Sequence, residues 1–474
     1  MSFGPSSPVW HQLVLVLLAL AITELHARPL KPIAARASVP ATDPFYQPPA
    51  GYEAEEPGTI LRTRSIVASF FGLLLDAVEA HQLLYRTTAV NGTAIATVTT
   101  GFKPLLGAAT DRFVSFQTAY DSSDTVCDPS YNYELGAVQT DIISAVEFLI
   151  LQVYLAEGYI VAAPDYEGPD AAFAPGRLEG MGVLDGMRAV SAYTGLGFST
   201  TTPAIVGVGY SGGAIASGWA ASLQSDYAPE LSIKGWAAGG TPANLTGTTV
   251  FVDNTVFSGF LPAALDGLAK PSAYGAELGP FIESIITPLG QSKLTFANTY
   301  CAVEDILNFA EQSVLSTSFQ SLGYDLVYDP TFVSVMQQNI MGLYANETPI
   351  APVLLYHAAL DEIIPYANAS TLFDSWCSNG ASVQFTTYGS GGHATTELLG
   401  VPAAVEFVEA AFAGTVASGC SSNTVLDSTV DPLALGLDLE PLLTGLLDAL
   451  VRFGEQDANL ISDLAILETL ITVT

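Results

Sequence analysis

The sequence contains little charge, and least of all positive charge. Charged residues are 13% of the 474 residues, about half the usual share. Only 14 Lys and Arg stand against 47 Asp and Glu, which gives a formal net charge of −33 at pH 7. This balance argues against a nucleic acid or an anionic membrane as a partner. With a hydrophobic content of 49%, the chain has enough apolar residues for a large core, which argues against disorder over most of its length.

Long apolar runs are also missing. The segment from Leu13 to Ile22 is apolar, but it is too short to cross a bilayer, and no later run reaches about 18 residues. A short apolar run that ends near Leu25-His26-Ala27 is typical of a secretory signal peptide. We therefore assign residues 1–27 to a signal peptide, predict no transmembrane segment, and expect the mature protein to be secreted.

Cysteine is scarce as well. The chain has four cysteines, an even number that fits two disulfides in an oxidising compartment, and the sequence alone leaves three pairings open. Four Asn-x-Ser/Thr sequons are predicted glycosylation sites in a secreted protein: Asn91, Asn244, Asn346 and Asn368.

Strands and helices alternate through most of the chain, which predicts an α/β fold with a mostly parallel sheet. An Asn91-Gly92 hairpin is predicted between β-branched segments, and helices are predicted over residues 142–157, 182–193 and 402–412. Between residues 243 and 349 the alternation stops, which predicts an inserted cap, or lid. The predicted parts are the signal peptide (1–27), an extended arm (28–58), the core (59–242 and 350–425), the cap (243–349) and a Leu-rich tail (426–474).

The candidate nucleophile is Ser211. Residues 203–208 form an apolar run after which Gly209-Tyr210-Ser211-Gly212-Gly213 leads into a segment of small and apolar residues. This G-x-S-x-G pattern between a strand and a helix predicts a strained turn that presents the serine oxygen at a cleft. Because the chain has 42 glycines, the pattern alone also fits a glycine-rich turn of any doubly wound sheet.

Few residues can serve as the base, because the chain has only five histidines and two of them precede residue 28. His81 lies in a predicted edge segment. His357 lies within an apolar strand, where a structural role is the better interpretation. His393 follows a strand in a glycine-rich loop, where it can reach the carboxyl edge of the sheet, so we predict it to be the base.

The candidate orienting acid follows the strand that ends near Ala359. Asp361 lies at the carboxyl end of this strand, where open α/β sheets carry their sites, and Glu362 is its direct competitor. The order Ser211, Asp361, His393 is that of α/β-hydrolases. In such a triad the histidine takes the serine proton, the aspartate orients the imidazole, and an acyl-enzyme forms and hydrolyses.

At this point the sequence resembles the fungal secretory lipases typified by Candida antarctica lipase A, within the α/β-hydrolase superfamily. The resemblance runs from about residue 43 to 420. It rests on ordered segments that include Asp43-Pro-Phe-Tyr46, Cys127-Asp-Pro-Ser-Tyr131, Asp165-Tyr-Glu-Gly168, Gly209-Tyr-Ser-Gly-Gly213, Gly239-Gly-Thr-Pro242 and Asp361-Glu-Ile-Ile-Pro-Tyr366.

The resemblance implies specific roles. It places the triad on Ser211, Asp361 and His393, and the oxyanion hole on Asp121 and Gly212. It pairs the cysteines as Cys127–Cys301 and Cys377–Cys420, and it implies that the cap shapes an acyl tunnel. A charged Asp121 would repel an oxyanion, so we expect this residue to act through its backbone or as a protonated acid.

The sequence thus predicts a triacylglycerol lipase that acts as a monomer on lipid esters, including those at an oil–water interface, without cofactor or metal. A carboxylesterase or acyltransferase for a soluble metabolite is the alternative enzyme. A non-catalytic lipid-binding protein on a hydrolase scaffold is the alternative outside enzymes.

Overall fold

A twisted, mostly parallel sheet forms the centre of the molecule. The computed structural model describes residues 36–138 and 141–426; the predicted signal peptide and all of the predicted tail beyond Leu426 lie outside these ranges. Ten strands are ordered β1-β4-β5-β7-β6-β8-β9-β10-β11-β12, and β2 and β3 form a separate small hairpin. The strands are β1 (Ile60–Ile66), β2 (Ser69–Phe70), β3 (Leu74–Leu75), β4 (Val78–Thr88), β5 (Ala94–Pro104), β6 (Ala109–Gln117), β7 (Tyr159–Pro164), β8 (Ala204–Tyr210), β9 (Ile233–Gly239), β10 (Val353–Ala358), β11 (Val383–Tyr388) and β12 (Ser421–Val425).

Strands β6 to β12 all run parallel to one another, while β1, β4 and β5 form an antiparallel extension next to β7. Strands β7 and β10 are buried along their whole length, which is why they are continuous apolar runs without alternation. The predicted α/β class with a mostly parallel sheet is therefore confirmed.

Helices cover both faces of the sheet, so neighbouring residues of one strand enter separate cores. Ile205 of β8 packs with the helices Gly176–Ala192 and Gly212–Tyr227. Val206 packs on the opposite face with the helices Ile142–Ala156 and His393–Ala413. The remaining helices of the body are Pro129–Asn132, Tyr366–Ser378 and the 3₁₀ turns Tyr52–Ala54, Thr125–Cys127 and Thr194–Leu196.

Six helices and two 3₁₀ turns lie between β9 and β10, within the predicted cap: Leu245–Val252, Phe260–Leu268, Gly275–Ile285, Pro288–Ala297, Ala302–Phe309, Gly323–Tyr328 (3₁₀), Pro330–Gln337 and Ala345–Glu347 (3₁₀). The disulfide Cys127–Cys301 links this region to the loop after β6. Ser123 Oγ also donates to the Ala263 carbonyl at 2.6 Å. The second disulfide, Cys377–Cys420, links the helix Tyr366–Ser378 to the segment before β12. Both pairings are those that the family resemblance implies.

Some local predictions hold and others need correction. The hairpin at Asn91-Gly92 joins β4 and β5 as predicted, and the helix predicted over 142–157 is present as Ile142–Ala156, capped by Asp141, which accepts from the Ile143 and Ser144 amides. His81 does not lie at an edge, because β4 pairs with β1 on one side and β5 on the other. The helix predicted over 182–193 begins earlier, at Gly176, and β12 was not expected.

The largest correction concerns the segment around His393. This histidine is the first residue of the helix His393–Ala413, not part of a flexible loop, and Pro402 lies inside the helix instead of in its first turn. The turn that precedes the helix uses Gly391 at a φ of 82°. Pro402 breaks the helical hydrogen-bond pattern locally, and the Leu399 carbonyl in the preceding turn accepts from Tyr388 Oη at 3.2 Å.

The described part of the predicted extended arm is folded onto the sheet. Residues 37–58 form turns and the short 3₁₀ helix Tyr52–Ala54. Asp43 pairs with Arg64 of β1 at 2.5 Å, and Phe45 and Tyr46 pack beside buried residues of β4 and β5. Among the described residues, no helix is both long and apolar enough to cross a bilayer.

Candidate active site

Ser211 occupies a sharp turn between β8 and the helix Gly212–Tyr227. Its φ of 51° and ψ of −120° are strained for a residue with a side chain. A methyl group at Gly209 would lie 2.2 Å from the Gly213 carbonyl oxygen, and one at Gly213 would lie 1.9 Å from the Gln117 carbonyl oxygen. The two outer glycines of the pattern are therefore required by close backbone packing, which fixes the position of Ser211.

His393 lies between Ser211 and Asp361. Its Nε2 is 2.8 Å from Ser211 Oγ, and its Nδ1 is 2.7 Å from Asp361 Oδ2. The other oxygen of Asp361 accepts from the amides of Ile363 and Ile364 at 3.0 and 2.7 Å. The structure thus brings together all three residues of the predicted triad.

Glu362, the competitor of Asp361, contacts the same histidine at a different atom. Its Oε2 accepts from the backbone N–H of His393 at 2.9 Å, so it holds the start of the helix and does not contact the imidazole. Tyr210 fixes the other side by donating to the His393 carbonyl at 2.7 Å. These two bonds position the backbone of His393, while Asp361 binds its ring at Nδ1.

Burial and charge act in opposite directions on the pKa values of the site. Burial lowers the pKa of His393, but the adjacent Asp361 carboxylate raises it by a larger amount, so that the pKa is about 8. Burial raises the pKa of Asp361, and the His393 charge and hydrogen bond more than offset this, so that the Asp361 pKa falls below its usual value. Asp361 is therefore an anion, and its negative charge stabilises the protonated imidazole that forms during the reaction.

His357 lies behind Asp361 and was not recognised from the sequence as part of this network. Its Nε2 is 3.3 Å from Asp361 Oδ2 and 3.0 Å from the Ile364 carbonyl. Burial lowers its pKa, so it is neutral. The structural interpretation of His357 fits its burial, and its contact adds a second support for the aspartate. His81, in contrast, contacts Glu79 and Tyr193.

Asp121 lies directly against the start of the helix after Ser211. A methyl group at Gly212 would lie 1.7 Å from Asp121 Oδ1, and Asp121 takes a φ of 42°. Oδ1 has no hydrogen-bond partner among the described residues. Burial raises the pKa of Asp121 to about 7, with His393 opposing this shift and Glu397 adding to it.

Glu147 and Glu397 form a carboxyl pair beside this site that sequence reasoning missed. Burial, the charge of Glu397 and a hydrogen bond with it raise the pKa of Glu147 well above its usual range. The buried Glu147 carboxyl is therefore protonated. One signal was present in the sequence, because Glu147 is the only charged residue of the apolar helix Ile142–Ala156.

Two cavities meet at Ser211. The first cavity has a volume of about 590 Å³ and includes Gly212, Leu245, Thr249, Leu261 and Met336. The second cavity has a volume of about 780 Å³ and includes Ile143, Val146, Val303, Ile306 and His393. Asp121, Ser211, Phe260 and Ile363 border both. Their walls are largely apolar, as in many small-molecule binding sites.

The sequons differ in accessibility. Asn91 and Asn346 are exposed, and both stay predicted glycosylation sites. Asn244 is half-buried and caps the helix Leu245–Val252 through the Gly247 amide. Asn368 is only 7% exposed, and its Nδ2 donates to Thr248 Oγ1 at 2.8 Å. A glycan on Asn368 would require this bond to break and the side chain to leave its buried position, so Asn368 is the least accessible of the four predicted sites.

Comparison with known proteins agrees with this architecture. The sequence profile of the Secretory lipase family matches residues 134–419. The secreted triacylglycerol lipase LIP1 of Malassezia furfur is 40% identical over 409 residues, which cover 85% of this chain and 83% of that protein. The secreted triacylglycerol lipase LIP4 of Malassezia globosa is 37% identical over 429 residues, which cover 89% and 92%.

A solved structure gives the same result for the fold. Candida antarctica lipase A in its closed state matches with a TM-score of 0.77 at 31% identity, over 87% of this chain and 96% of that chain. The fold is accordingly that of the α/β-hydrolases. With a family match over more than half of its length and relatives that align along most of it, this chain belongs to the secretory lipase family.

Proposed function

We propose that the protein is a secreted triacylglycerol lipase that uses Ser211, His393 and Asp361 as its catalytic triad. The observation that carries this proposal is the hydrogen-bonded chain from Ser211 Oγ through His393 to Asp361 at the junction of two apolar cavities. The names of the Malassezia relatives, secreted triacylglycerol lipases, support both the substrate class and secretion.

In the proposed mechanism, His393 Nε2 takes the proton of Ser211 Oγ as this oxygen attacks the ester carbonyl carbon. Asp361 stabilises the imidazolium that forms. When the tetrahedral intermediate collapses, the bond from the carbonyl carbon to the alcohol oxygen breaks, and His393 gives its proton to that oxygen. Water then gives a proton to the same imidazole and attacks the acyl-enzyme. When the acyl–serine bond breaks, the fatty acid leaves and His393 returns this proton to Ser211 Oγ.

The developing oxyanion needs two donors. We assign one to the Gly212 backbone N–H, at the start of a helix whose dipole favours negative charge. The other is the side chain of Asp121 in its protonated form. Its raised pKa and its unpartnered oxygen both support this assignment. Asp121 would then donate a hydrogen bond where a carboxylate would repel charge.

The first cavity is the proposed acyl site, because Gly212 and Asp121 border it together with Ser211. Cap helices supply much of its wall, through residues such as Leu245, Thr249 and Leu261. Movement of these helices would open the site at an oil–water interface, which is where we expect the enzyme to work. Since the triad and both cavities come from a single chain, we expect a monomer to be active.

Hydrolysis of tributyrin by the purified protein tests this function. We expect activity that rises sharply once the substrate passes its solubility limit, because the interface stabilises an open cap. Rates are measured by titration of the released acid below and above that limit. Smooth saturation below the limit, without a rise above it, would instead favour the carboxylesterase alternative, and no hydrolysis at all would contradict the proposal.

A further inference from the structure

The second cavity has no role in the proposed mechanism so far. An ester has two sides, and the acyl side is assigned to the first cavity. Ser211 borders both cavities, and so do Phe260 and Ile363. A substrate whose carbonyl lies at Ser211 can therefore extend in two directions from the reacting atom.

The triad determines which side of the ester enters the second cavity. His393 must give its proton to the alcohol oxygen when the ester bond breaks, so the leaving alcohol has to lie within reach of the imidazole. His393 and Ala394 border the second cavity, whereas neither residue borders the first. Gly212, the proposed oxyanion donor, borders only the first. The alcohol side of the ester thus points into the second cavity.

The walls of the second cavity fit an aliphatic chain. Ile142, Ile143 and Val146 line it from the helix Ile142–Ala156, and Val303 and Ile306 line it from the cap helix Ala302–Phe309. These side chains offer no hydrogen-bonding groups, so they select for apolar surface.

Three acids also border this cavity, and one oxygen of each is buried: Asp121 Oδ1, Glu147 Oε2 and Glu397 Oε1. Apart from these acids and the triad, the surface that the cavity offers to a ligand is chiefly hydrocarbon. The second cavity is larger than the first, and its hydrocarbon walls offer contacts to an aliphatic chain.

We propose that the second cavity binds the aliphatic chain of the leaving alcohol, so that esters of fatty acids with long-chain primary alcohols are substrates besides glycerides. This inference rests on the proposed function. In the reaction, Ser211 Oγ forms a bond to the acyl carbon, the bond from the acyl carbon to the alcohol oxygen breaks, and this oxygen takes the proton from His393 Nε2, so the fatty alcohol leaves. Water then supplies the hydroxyl of the released fatty acid and a proton to His393 Nε2, and the imidazole passes this proton to Ser211 Oγ as the acyl–serine bond breaks.

The test compares chain length on the two sides of the ester. Methyl butyrate, octyl butyrate and methyl octanoate are assayed below their solubility limits, and kcat/KM is determined for each. The alcohol ratio is the value for octyl butyrate divided by that for methyl butyrate. The acyl ratio is the value for methyl octanoate divided by that for methyl butyrate. Each ratio is taken within one protein preparation, so it does not depend on the fraction of folded enzyme.

We expect an alcohol ratio of at least about ten for the unmodified protein, because the added methylenes leave water. Val303→Phe fills the second cavity and should lower the alcohol ratio about tenfold while the acyl ratio stays within about twofold. Thr249→Phe is the matched control, because it adds a ring of the same kind to the first cavity. It should lower the acyl ratio and spare the alcohol ratio.

Three results would overturn the assignment. They are an alcohol ratio near one, a Val303→Phe variant with an unchanged alcohol ratio, or a Thr249→Phe variant that lowers the alcohol ratio in place of the acyl ratio. If Val303→Phe yields no folded protein, Ile143→Phe on the opposite, partly exposed wall carries the same expectation. Failure to hydrolyse even methyl butyrate and tributyrin would instead reject the proposed lipase function itself.

Discussion

Replacement of Ser211 by alanine should lower kcat for tributyrin by roughly 10⁴–10⁶-fold. The hydroxyl is the group that attacks the ester in the proposed mechanism, and His393 Nε2, 2.8 Å away, is positioned to take its proton. The variant should fold normally, since the Ser211 backbone amide keeps its bond to the Gly239 carbonyl at 2.9 Å. The rate of acid release and the thermal unfolding midpoint are measured together.

Ser199→Ala provides the matched control for this experiment. Ser199 is exposed, and its hydroxyl donates to the Thr110 carbonyl at 3.1 Å, away from the site. This variant should keep its activity within about twofold of the unmodified protein. Retention of more than a few per cent of kcat by Ser211→Ala would mean that another group attacks the ester.

Variants of Asp121 should separate a side-chain role in the oxyanion hole from a backbone role. Asp121→Ala removes the proposed donor and should lower kcat by about 10²–10³-fold. Asp121→Asn keeps a donor of similar size without a titratable group, so it should retain much more activity than the alanine variant. Full activity of Asp121→Ala would show that the side chain has no part in the reaction.

The pH profile gives an independent test of the same role. His393 must be neutral to act as a base, and its pKa is raised to about 8, so activity should fall as the pH decreases below this region. Asp121 must be protonated to donate, and its pKa is raised to about 7, so activity should fall as the pH increases. Because the two groups lie close together and titrate as a coupled pair, the expected profile of kcat/KM is a narrow bell with its maximum between about 7 and 8.

Asp121→Asn should remove the alkaline side of this bell and leave the acidic side, since the amide does not titrate. The comparison needs only kcat/KM of both proteins from about pH 5 to 10, a range that spans the ordinary values of both groups. An alkaline decrease that persists unchanged in the asparagine variant would assign it to a residue other than Asp121, such as Glu147.

The parts of the site that follow from local sequence were predictable. The strand, the glycine-flanked Ser211 and the following helix are adjacent in the chain, and their packing needs no distant information. Asp361 and His393 were found because each follows a strand of a parallel sheet, and such strand ends meet at one edge. The disulfide pairs and Asp121 came from the family resemblance and not from spacing.

Features that depend on packing between distant segments were beyond the sequence pattern. The start of the last long helix at His393 was missed because glycines before the histidine and Pro402 within the helix both suggest a break. The glutamate pair joins residues 250 positions apart in the chain, 147 and 397, and the pKa of Glu147 is raised by its burial and by its contact with Glu397. Likewise, nothing near Asn368 in the sequence indicates that Thr248 of the cap covers its amide.

The most direct measurement of the central claim is covalent labelling with a long-chain p-nitrophenyl phosphonate, followed by peptide mass spectrometry. The account predicts one equivalent of label per chain, located on Ser211, with release of one equivalent of p-nitrophenol and loss of labelling in His393→Ala. A protein that hydrolyses tributyrin but carries the label on another residue, or that labels equally well without His393, would contradict the account.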